Sequence, residues 1–406
     1  MVLLTSAFPR WLTVLAGGTV AASVVGGLVF GRVVWPALFW PLYALIVVTL
    51  LTWPWRALRL RLVALAFLAG AGPVMGLALL VQRGLLAAAQ VLPGLARWVE
   101  RNLLLWGGDF GAGFVAPVTE ETVKMLPVVL FLWWLCRRRA PVFGPLDVAI
   151  LGVAVGAGFD FTETLFHTTA AGGAPLGLEW DYHVGPRWGV LHLFPTLTTD
   201  IWGEKLCYGH AGWTGTVAIA LGLAFWLGRR RPWTRLLPWL AGLWAMWDHY
   251  LWNAFGGPAQ GLEGSWLASL PALDGHGLVM PYAMLLALAF GALLSARAIR
   301  RYLAADPVLA VSLTAGLPRG VTWSRPGLGS WLGRWRDLLA FVHARRALAY
   351  GLRVYADSGR PGGLGGEAAQ VLAVLRAGCL ASAERLTLPG CGPRAVASAG
   401  QGGVRS

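Results

Sequence analysis

Apolar windows of about 20 residues recur along the chain, and this is the length that an α-helix needs to cross the hydrocarbon core of a bilayer. Short segments rich in Arg, Gly and Pro separate the windows. The pattern predicts an all-α polytopic membrane helix bundle with about eight transmembrane helices. The predicted spans are residues 11–30, 34–54, 62–81, 113–135, 146–167, 209–228, 236–256 and 278–296. The first run is too long for the apolar core of a signal peptide, so we expect it to be an uncleaved helix.

The positions of Arg residues predict the orientation of these spans. Basic residues cluster at every second end of the apolar runs, and the intervening ends carry fewer of them. Cytoplasmic loops of membrane proteins are enriched in Lys and Arg, so both termini are expected in the cytoplasm of a multi-pass protein of the cell membrane. The clusters are Arg56, Arg59 and Arg61; Arg137, Arg138 and Arg139; Arg229, Arg230, Arg231 and Arg235; and Arg297, Arg300 and Arg301.

Composition supports a membrane protein and argues against nucleic-acid binding. The 406 residues are 57% hydrophobic and only 13% charged, against about 25% charged in a soluble domain. The net charge of +14 arises from Arg at span ends and in the C-terminal tail, which is the pattern expected beside a lipid bilayer. The four cysteines are scattered, with no spacing typical of a disulfide framework or of a structural zinc site.

The chain is predicted to have two parts, a transmembrane domain over residues 1–301 and a basic cytoplasmic tail over 302–406. Within the first part, residues 84–112 are expected to form an outer amphipathic or re-entrant helix, and 168–208 a long outer loop. In the tail, 331–355 reads as a basic amphipathic segment that lies on the anionic inner leaflet. From Asp357 onward the tail is predicted to be weakly ordered.

Ionisable and hydrogen-bonding residues interrupt four of the apolar runs. A charged side chain at the centre of a bilayer costs about 2.5–3.5 kcal/mol on insertion scales, so such residues are expected to meet one another around a polar site. The predicted orientation brings all of them near the outer ends of their spans, within a core at residues 110–256. They are Glu120, Glu121, Lys124, Glu163, His210, His249 and Asn253.

Helical spacing adds to this prediction. Lys124 follows Glu121 by three positions and Glu120 by four, so its ammonium can reach either carboxylate. His249 and Asn253 are four residues apart and share a helix face. Gly152 and Gly156 form a GxxxG motif that permits close packing of helices.

Four motifs in this order resemble those of the PrsW family of intramembrane proteases. Glu120 to Lys124 resembles its EExxK signature, Phe159 to Glu163 its FxxxE motif, and the segments that begin at His210 and His249 its two histidine motifs. This family is related to the CaaX prenyl protease and bacteriocin-processing group. The resemblance implies an intramembrane endopeptidase that cuts single-span membrane proteins, such as anti-sigma factors, near their extracytoplasmic end.

Peptide hydrolysis requires an activated water and a stabilised oxyanion, and the residues permit two versions. In the first, which needs no cofactor, Glu120 or Glu121 is the general base, and Lys124 holds the other carboxylate. His249 and Asn253 then bind the oxyanion, and Glu163 orients a histidine or shares the proton. In the second, His210, His249 and a glutamate bind zinc, leaving a position open for water.

Two other classes of protein are compatible with the same residues. Carboxylates and histidines within spans also build the proton relays of transporters, although here they gather at one depth instead of forming a chain across the bilayer. A catalytically inactive scaffold that binds a single-span partner is the remaining alternative, and the complete set of acids and histidines argues against it.

Overall fold

The computed structural model describes residues 31–91, 94, 115–137, 143–170, 209–255, 279–303, 328–356 and 366–385. Within these ranges the protein is entirely helical. The helices are α1 (Gly31–Thr52), α2 (Leu60–Ala69), α3 (Met75–Val91), α4 (Ala116–Arg137), α5 (Pro145–Ala170), α6 (Gly209–Leu227), α7 (Leu237–Phe255), α8 (Val279–Leu303), α9 (Leu328–Ala356) and α10 (Gly366–Arg385).

The helices confirm that the chain is an all-α protein of membrane character. Helices α1 to α8 occupy the positions of the predicted spans from the second onward, and the first predicted span lies outside the described residues. Among the described residues, four helical stretches are long and apolar enough to cross a membrane: Leu60–Ala88, Pro145–Phe166, Gly209–Leu227 and Tyr282–Leu303. The total of eight spans remains a prediction. The two outer connections, residues 84–112 and 168–208, also remain predictions, because they fall largely outside the described residues.

Helix α5 is the central element of the bundle, packed against α1, α2, α6 and α8. Ala149, Ile150, Ala154 and Ala157 on this helix are completely buried. At Gly156, an added Cβ would lie 2.1 Å from the carbonyl oxygen of His210, so only glycine allows α6 to come this close. This contact sets the position of the first turn of α6, where His210 lies.

Helices α2 and α3 form one rod, joined by a single π-helical turn at Gly70–Val74 that contains Pro73. Proline lacks an amide hydrogen, and such distortions release backbone carbonyls that need other donors. The hydroxyl of Thr162 on α5 donates to the carbonyl of Ala71 in this turn, at 2.7 Å. The bond ties the distorted turn to α5 and so fixes the direction of α3.

Helices α9 and α10 form an antiparallel pair, which we call the C-terminal hairpin, with its own apolar core against the ends of α6 and α8. The prediction of weak order from Asp357 onward is wrong for Gly366–Arg385, which is helical. Its buried face is formed by Leu372, Leu375 and Cys379. The hairpin gives this low-hydrophobicity segment a packing surface that the sequence pattern did not indicate.

Candidate active site

Six of the predicted site residues converge from four helices at one end of the bundle. Glu120, Glu121 and Lys124 come from the start of α4, Glu163 from the end of α5, His210 from the start of α6 and His249 from the end of α7. Contacts between their polar atoms join all six into one cluster. Five of the six are buried, and the side chain of Glu163 is 23% exposed. Since α4 and α6 run in the opposite direction to α5 and α7, the two starts and two ends meet.

The start of α6 is shaped by Gly209. This residue has a φ of 69°, in the left-handed region that glycine adopts readily. The chain therefore turns into α6 immediately before His210, which becomes the first buried residue of the helix. The ring of His210 packs against Phe159 of α5, with centroids 5.0 Å apart.

Lys124 is enclosed at the centre of the cluster, with no exposed surface. Its ammonium donates to Oε1 of Glu121 at 2.7 Å and lies 3.6 Å from Oε2 of Glu120. It also hydrogen-bonds Nδ1 of His210 and lies 4.4 Å from the centroid of the Phe159 ring. The close pairing of Lys124 with both carboxylates is what the helical spacing predicted, and it compensates the buried charges.

The two histidines are each held by a carboxylate through one ring nitrogen. Nε2 of His210 contacts Oε2 of Glu163, and Nδ1 of His249 lies 3.0 Å from Oε1 of Glu121. The remaining nitrogens, Nδ1 of His210 and Nε2 of His249, lie 3.9 Å and 4.0 Å from Oε2 of Glu120. A carboxylate on one nitrogen fixes the orientation of the ring and directs the other nitrogen to a reacting group or ligand.

Glu120 differs from Glu121 in how its oxygens are used. Gln82 of α3 donates to Oε1 of Glu120 at 2.9 Å, while the buried Oε2 accepts no hydrogen bond. Oε1 of Glu121 instead contacts both Lys124 and His249. That oxygen of Glu121 also lies near both histidines, 3.9 Å from Nδ1 of His210 and 3.0 Å from Nδ1 of His249, but it is already bonded. Oε2 of Glu120 lies near one nitrogen of each histidine and accepts no hydrogen bond, and Oε2 of Glu121 is likewise buried without one.

Three residues that the sequence did not assign to the site contact His249, Glu120 or their neighbours, namely Trp213, Asp248 and Gln82. The indole of Trp213 stacks on the His249 ring, with centroids 4.2 Å apart and planes at 15°. The indole N–H donates to Oδ2 of the buried Asp248. Gln82 is the third. None of the three is among the site residues that the sequence predicts.

Asn253 is placed differently from the other six predicted residues. It lies one turn beyond His249 on α7 and is exposed. Its predicted part in oxyanion binding therefore remains a prediction.

The donor atoms of the cluster fit a metal ion. Glu120, His210 and His249 each offer a ligand atom within 4.8 Å of the others, and Asp160, Glu163 and His210 form a second such group. Two imidazoles and one carboxylate are a known zinc ligand set. The buried Oε2 of Glu120, which accepts no hydrogen bond, is an oxygen that a cation would satisfy.

Apolar helices around a buried cluster of glutamates, histidines and one lysine are compatible with an intramembrane hydrolase and with a proton-coupled transporter. Residues 58–288 match the family described as "PrsW family intramembrane metalloprotease", and the chain belongs to this family. The match runs from the start of α2 into the first half of α8 and contains every residue of the cluster. No curated protein and no solved structure matches the chain. Membership makes the protein an intramembrane protease and supports that interpretation over a transporter.

Proposed function

We propose that the cluster hydrolyses peptide bonds of single-span membrane proteins, with Glu120, His210 and His249 facing the scissile bond. The observation that supports this assignment is Oε2 of Glu120, which is buried, accepts no hydrogen bond and lies about equally far from one nitrogen of each histidine. A reacting water or a cation at this point would meet one oxygen and two nitrogens. The other oxygen of Glu120 is fixed by Gln82.

These three residues are the ones that would hold zinc. Bound zinc supplies Lewis acidity, because it polarises a carbonyl oxygen and activates water for attack near neutral pH. Glu163 and Glu121 then orient His210 and His249 through their other ring nitrogens, as carboxylates commonly do for metal-ligating histidines. The family description and this arrangement of paired carboxylates and histidines both favour the zinc version.

A second mechanism without metal is favoured by Lys124. Its ammonium already supplies a positive charge to Glu121 and donates to Nδ1 of His210. In that version Glu120 takes the proton from a water as general base and passes it to the leaving amine. His249, protonated on both ring nitrogens, donates from Nε2 to the oxyanion. The two versions share Glu120 as the essential carboxylate and differ in their dependence on a metal.

The substrate is proposed to be cut in the outer half of the bilayer. The cluster lies at the starts of α4 and α6, and the Arg-rich segments Arg56–Arg61 and Arg229–Arg231 lie at the opposite helix ends. If that Arg-rich end faces the cytoplasm, the cluster is near the extracytoplasmic surface. Single-span proteins such as anti-sigma factors present a peptide bond at this depth.

The test is cleavage of a tagged library of single-span membrane proteins by the purified protein in proteoliposomes. Glu120→Gln keeps the shape of the side chain but removes its charge, and we expect cleavage to fall by about 10²–10⁴-fold. Thr122→Ala, an exposed position on the same helix, is the control and should cleave like the wild type. Full activity of Glu120→Gln would refute the assignment.

A chelator distinguishes the two mechanisms in the same assay. Loss of cleavage with the chelator, restored by added zinc, would establish the metal-dependent version. Cleavage that persists with the chelator but disappears in Glu120→Gln would establish the glutamate version. In either case His249→Ala should cleave far more slowly than the wild type, because both versions use its Nε2.

A further inference from the structure

The C-terminal hairpin closes the end of the bundle opposite the candidate active site. Nη1 of Arg346 donates to the carbonyl oxygens of Trp53 and Arg56, at 2.6 and 2.8 Å, and Nη2 of Arg353 donates to that of Trp226 at 2.9 Å. Trp226 follows His210 on α6 by sixteen residues, which is about 24 Å along a helix. The carbonyl of Trp226 lies in the last turn of α6, and those of Trp53 and Arg56 lie in the turn between α1 and α2. Because both arginines donate to backbone carbonyls, the burial of Arg346 and Arg353 is explained.

Arg56 and His343 are not explained in this way. Arg56 is completely buried, and its three guanidinium nitrogens donate no hydrogen bond to any group in the described structure. The guanidinium lies over the ring of Trp53, at 4.9 Å from the centroid. His343 of α9 meets the same Trp53 ring edge-on at 5.9 Å, and its Nδ1 is also buried without a hydrogen bond.

Asp147 attracts the guanidinium of Arg56 electrostatically but accepts no hydrogen bond from it. One oxygen of Asp147 accepts from the amides of Ala57 and Leu58, at 2.7 and 2.8 Å, and the other accepts from the amide of Gly144 at 2.7 Å. Asp147 is thereby committed to backbone donors while Arg56 retains a complete set of unused N–H groups. A buried guanidinium without acceptors is costly, because it has lost the hydrogen bonds of water and its contact with the Trp53 ring replaces none of them.

We propose that Arg56, Arg346 and His343 form a binding site for a phosphate-class oxyanion at the junction of α1, α5 and the hairpin. The forked guanidinium of Arg56 matches two phosphate oxygens, and protonation of His343 at Nδ1 adds a third donor. Two guanidinium groups beside a single, fully committed carboxylate leave an excess of positive charge. The oxyanion is enclosed when the hairpin docks, so its binding stabilises the docked hairpin.

The oxyanion can come from solution or from the headgroup of an anionic phospholipid. Leu50, Leu51 and Leu60, on either side of Arg56 in the chain, are large apolar residues with 66, 43 and 55% of their surface exposed. Apolar residues exposed at the end of a membrane helix contact lipid, which brings phospholipid headgroups within reach of the site. The shared chemistry is a phosphate group that receives guanidinium donors.

Thermal unfolding of the full-length, delipidated protein tests the proposal. One pair of samples compares sodium phosphate with sodium chloride at equal ionic strength in detergent. A second pair compares nanodiscs of phosphatidylcholine with nanodiscs that also contain phosphatidylglycerol. We expect the wild-type Tm to rise by about 5 °C with the anion that binds. The matched variants are Arg56→Met at the buried position and Arg61→Met at an exposed position nearby.

The Tm of Arg56→Met relative to the wild type should differ between chloride and the anion that binds. In chloride, Arg56→Met should unfold at or above the wild-type temperature, because an uncompensated buried charge has been removed. With the anion, it should lack the rise in Tm, whereas Arg61→Met should keep it. A rise with inorganic phosphate identifies free phosphate as sufficient, and a rise only with phosphatidylglycerol identifies the lipid headgroup.

Three results would overturn the proposal. The first is a wild-type Tm that changes with neither probe, and the second is an Arg56→Met protein that keeps the full rise. The third is an Arg56→Met protein that unfolds far below the wild type in chloride, which would show that Arg56 is a structural residue with no need of an anion.

Discussion

The ammonium of Lys124 hydrogen-bonds Nδ1 of His210, the ring nitrogen that also faces Oε2 of Glu120. The same ammonium lies 3.6 Å from that oxygen. It therefore stands among the donor atoms that a zinc ion would use. Two positive charges cannot share this position, so zinc binding requires the ammonium to withdraw toward Glu121.

Replacing Lys124 with Met should tighten zinc binding by about tenfold or more, since an internal cation competing for buried donors is removed. The metal-free variant should be less stable than the wild type by about 3 kcal/mol, because Glu121 loses its counter-ion. Added zinc should restore part of this stability. Titration against a chromophoric chelator gives the affinity, and thermal unfolding gives the stability. Equal zinc affinity of variant and wild type would show that the ammonium and the metal do not compete.

Gln82 should contribute to catalysis through Glu120, whose Oε1 it holds at 2.9 Å. Gln82→Leu removes this donor, so the carboxylate of Glu120 is free to rotate and kcat should fall by about tenfold. KM should change little, because Gln82 has no proposed contact with substrate. Arg83→Gln is the control, since Arg83 is its exposed neighbour on α3 and should cleave like the wild type. An unchanged kcat in Gln82→Leu would mean that Glu120 is oriented by its other neighbours.

Trp213 should position His249 both by stacking and by its bond to Asp248. Trp213→Phe keeps an aromatic ring on His249 and removes the indole N–H donor of Asp248. Since hydrogen bonds to charged groups contribute about 1.5–3 kcal/mol, we expect a loss of stability in this range. Cleavage should also slow, because α7 carries both Asp248 and His249. Thermal unfolding and kcat are the measurements, and a variant with wild-type values for both would contradict this role.

Much of the site could be predicted because charge in an apolar run is expensive. Glu120, Lys124 and His249 stand out for that reason, and helical spacing pairs the first two. The supporting residues lack such a signal. Gln82 follows the end of its predicted span and reaches Glu120 only because the π-helical turn and its bond to Thr162 direct α3 toward α4. Trp213 is one of 23 tryptophans, and tryptophan is a residue that membrane proteins commonly place at the bilayer interface, so its position in the sequence does not distinguish it.

The sequence pattern did not predict that the C-terminal hairpin packs against the helix bundle. The basic residues of 331–355 predict a surface segment attracted to anionic lipid, but Arg346 and Arg353 are buried and donate to carbonyls of the turn after α1 and of the last turn of α6. Arginine stems pack against apolar surface while the guanidinium reaches a carbonyl, so a basic segment can form an interior contact. The sequence shows where the arginines are, but it does not show which backbone carbonyls can accept hydrogen bonds from them.

Close packing of α5 and α6 should depend on Gly156. An alanine Cβ there would lie 2.1 Å from the carbonyl oxygen of His210, a backbone atom that cannot move alone. Gly156→Ala should therefore destabilise the protein by about 3 kcal/mol and displace His210, with a loss of cleavage. Gly76→Ala is the matched control, since nothing lies within 4 Å of its added Cβ, and it should be neutral or slightly stabilising. Equal thermal stability of the two variants would contradict the close approach of the helices.

The stability of the docked hairpin should depend on pH through His343. Burial, together with repulsion from Arg346, Arg56 and Arg59, lowers the pKa of His343 to about 4. Without a bound anion the folded protein thus keeps this ring neutral above about pH 4, whereas the unfolded chain binds a proton below about pH 6.5. The free energy of unfolding should fall as pH decreases from about 6.5 to about 4, by at most about 3 kcal/mol, and this contribution should not change further at lower pH. Thermal unfolding in phosphate-free chloride should show this slope in the wild type and a flatter one in His343→Gln. Equal slopes would show that the pKa of His343 does not differ between the folded and the unfolded protein.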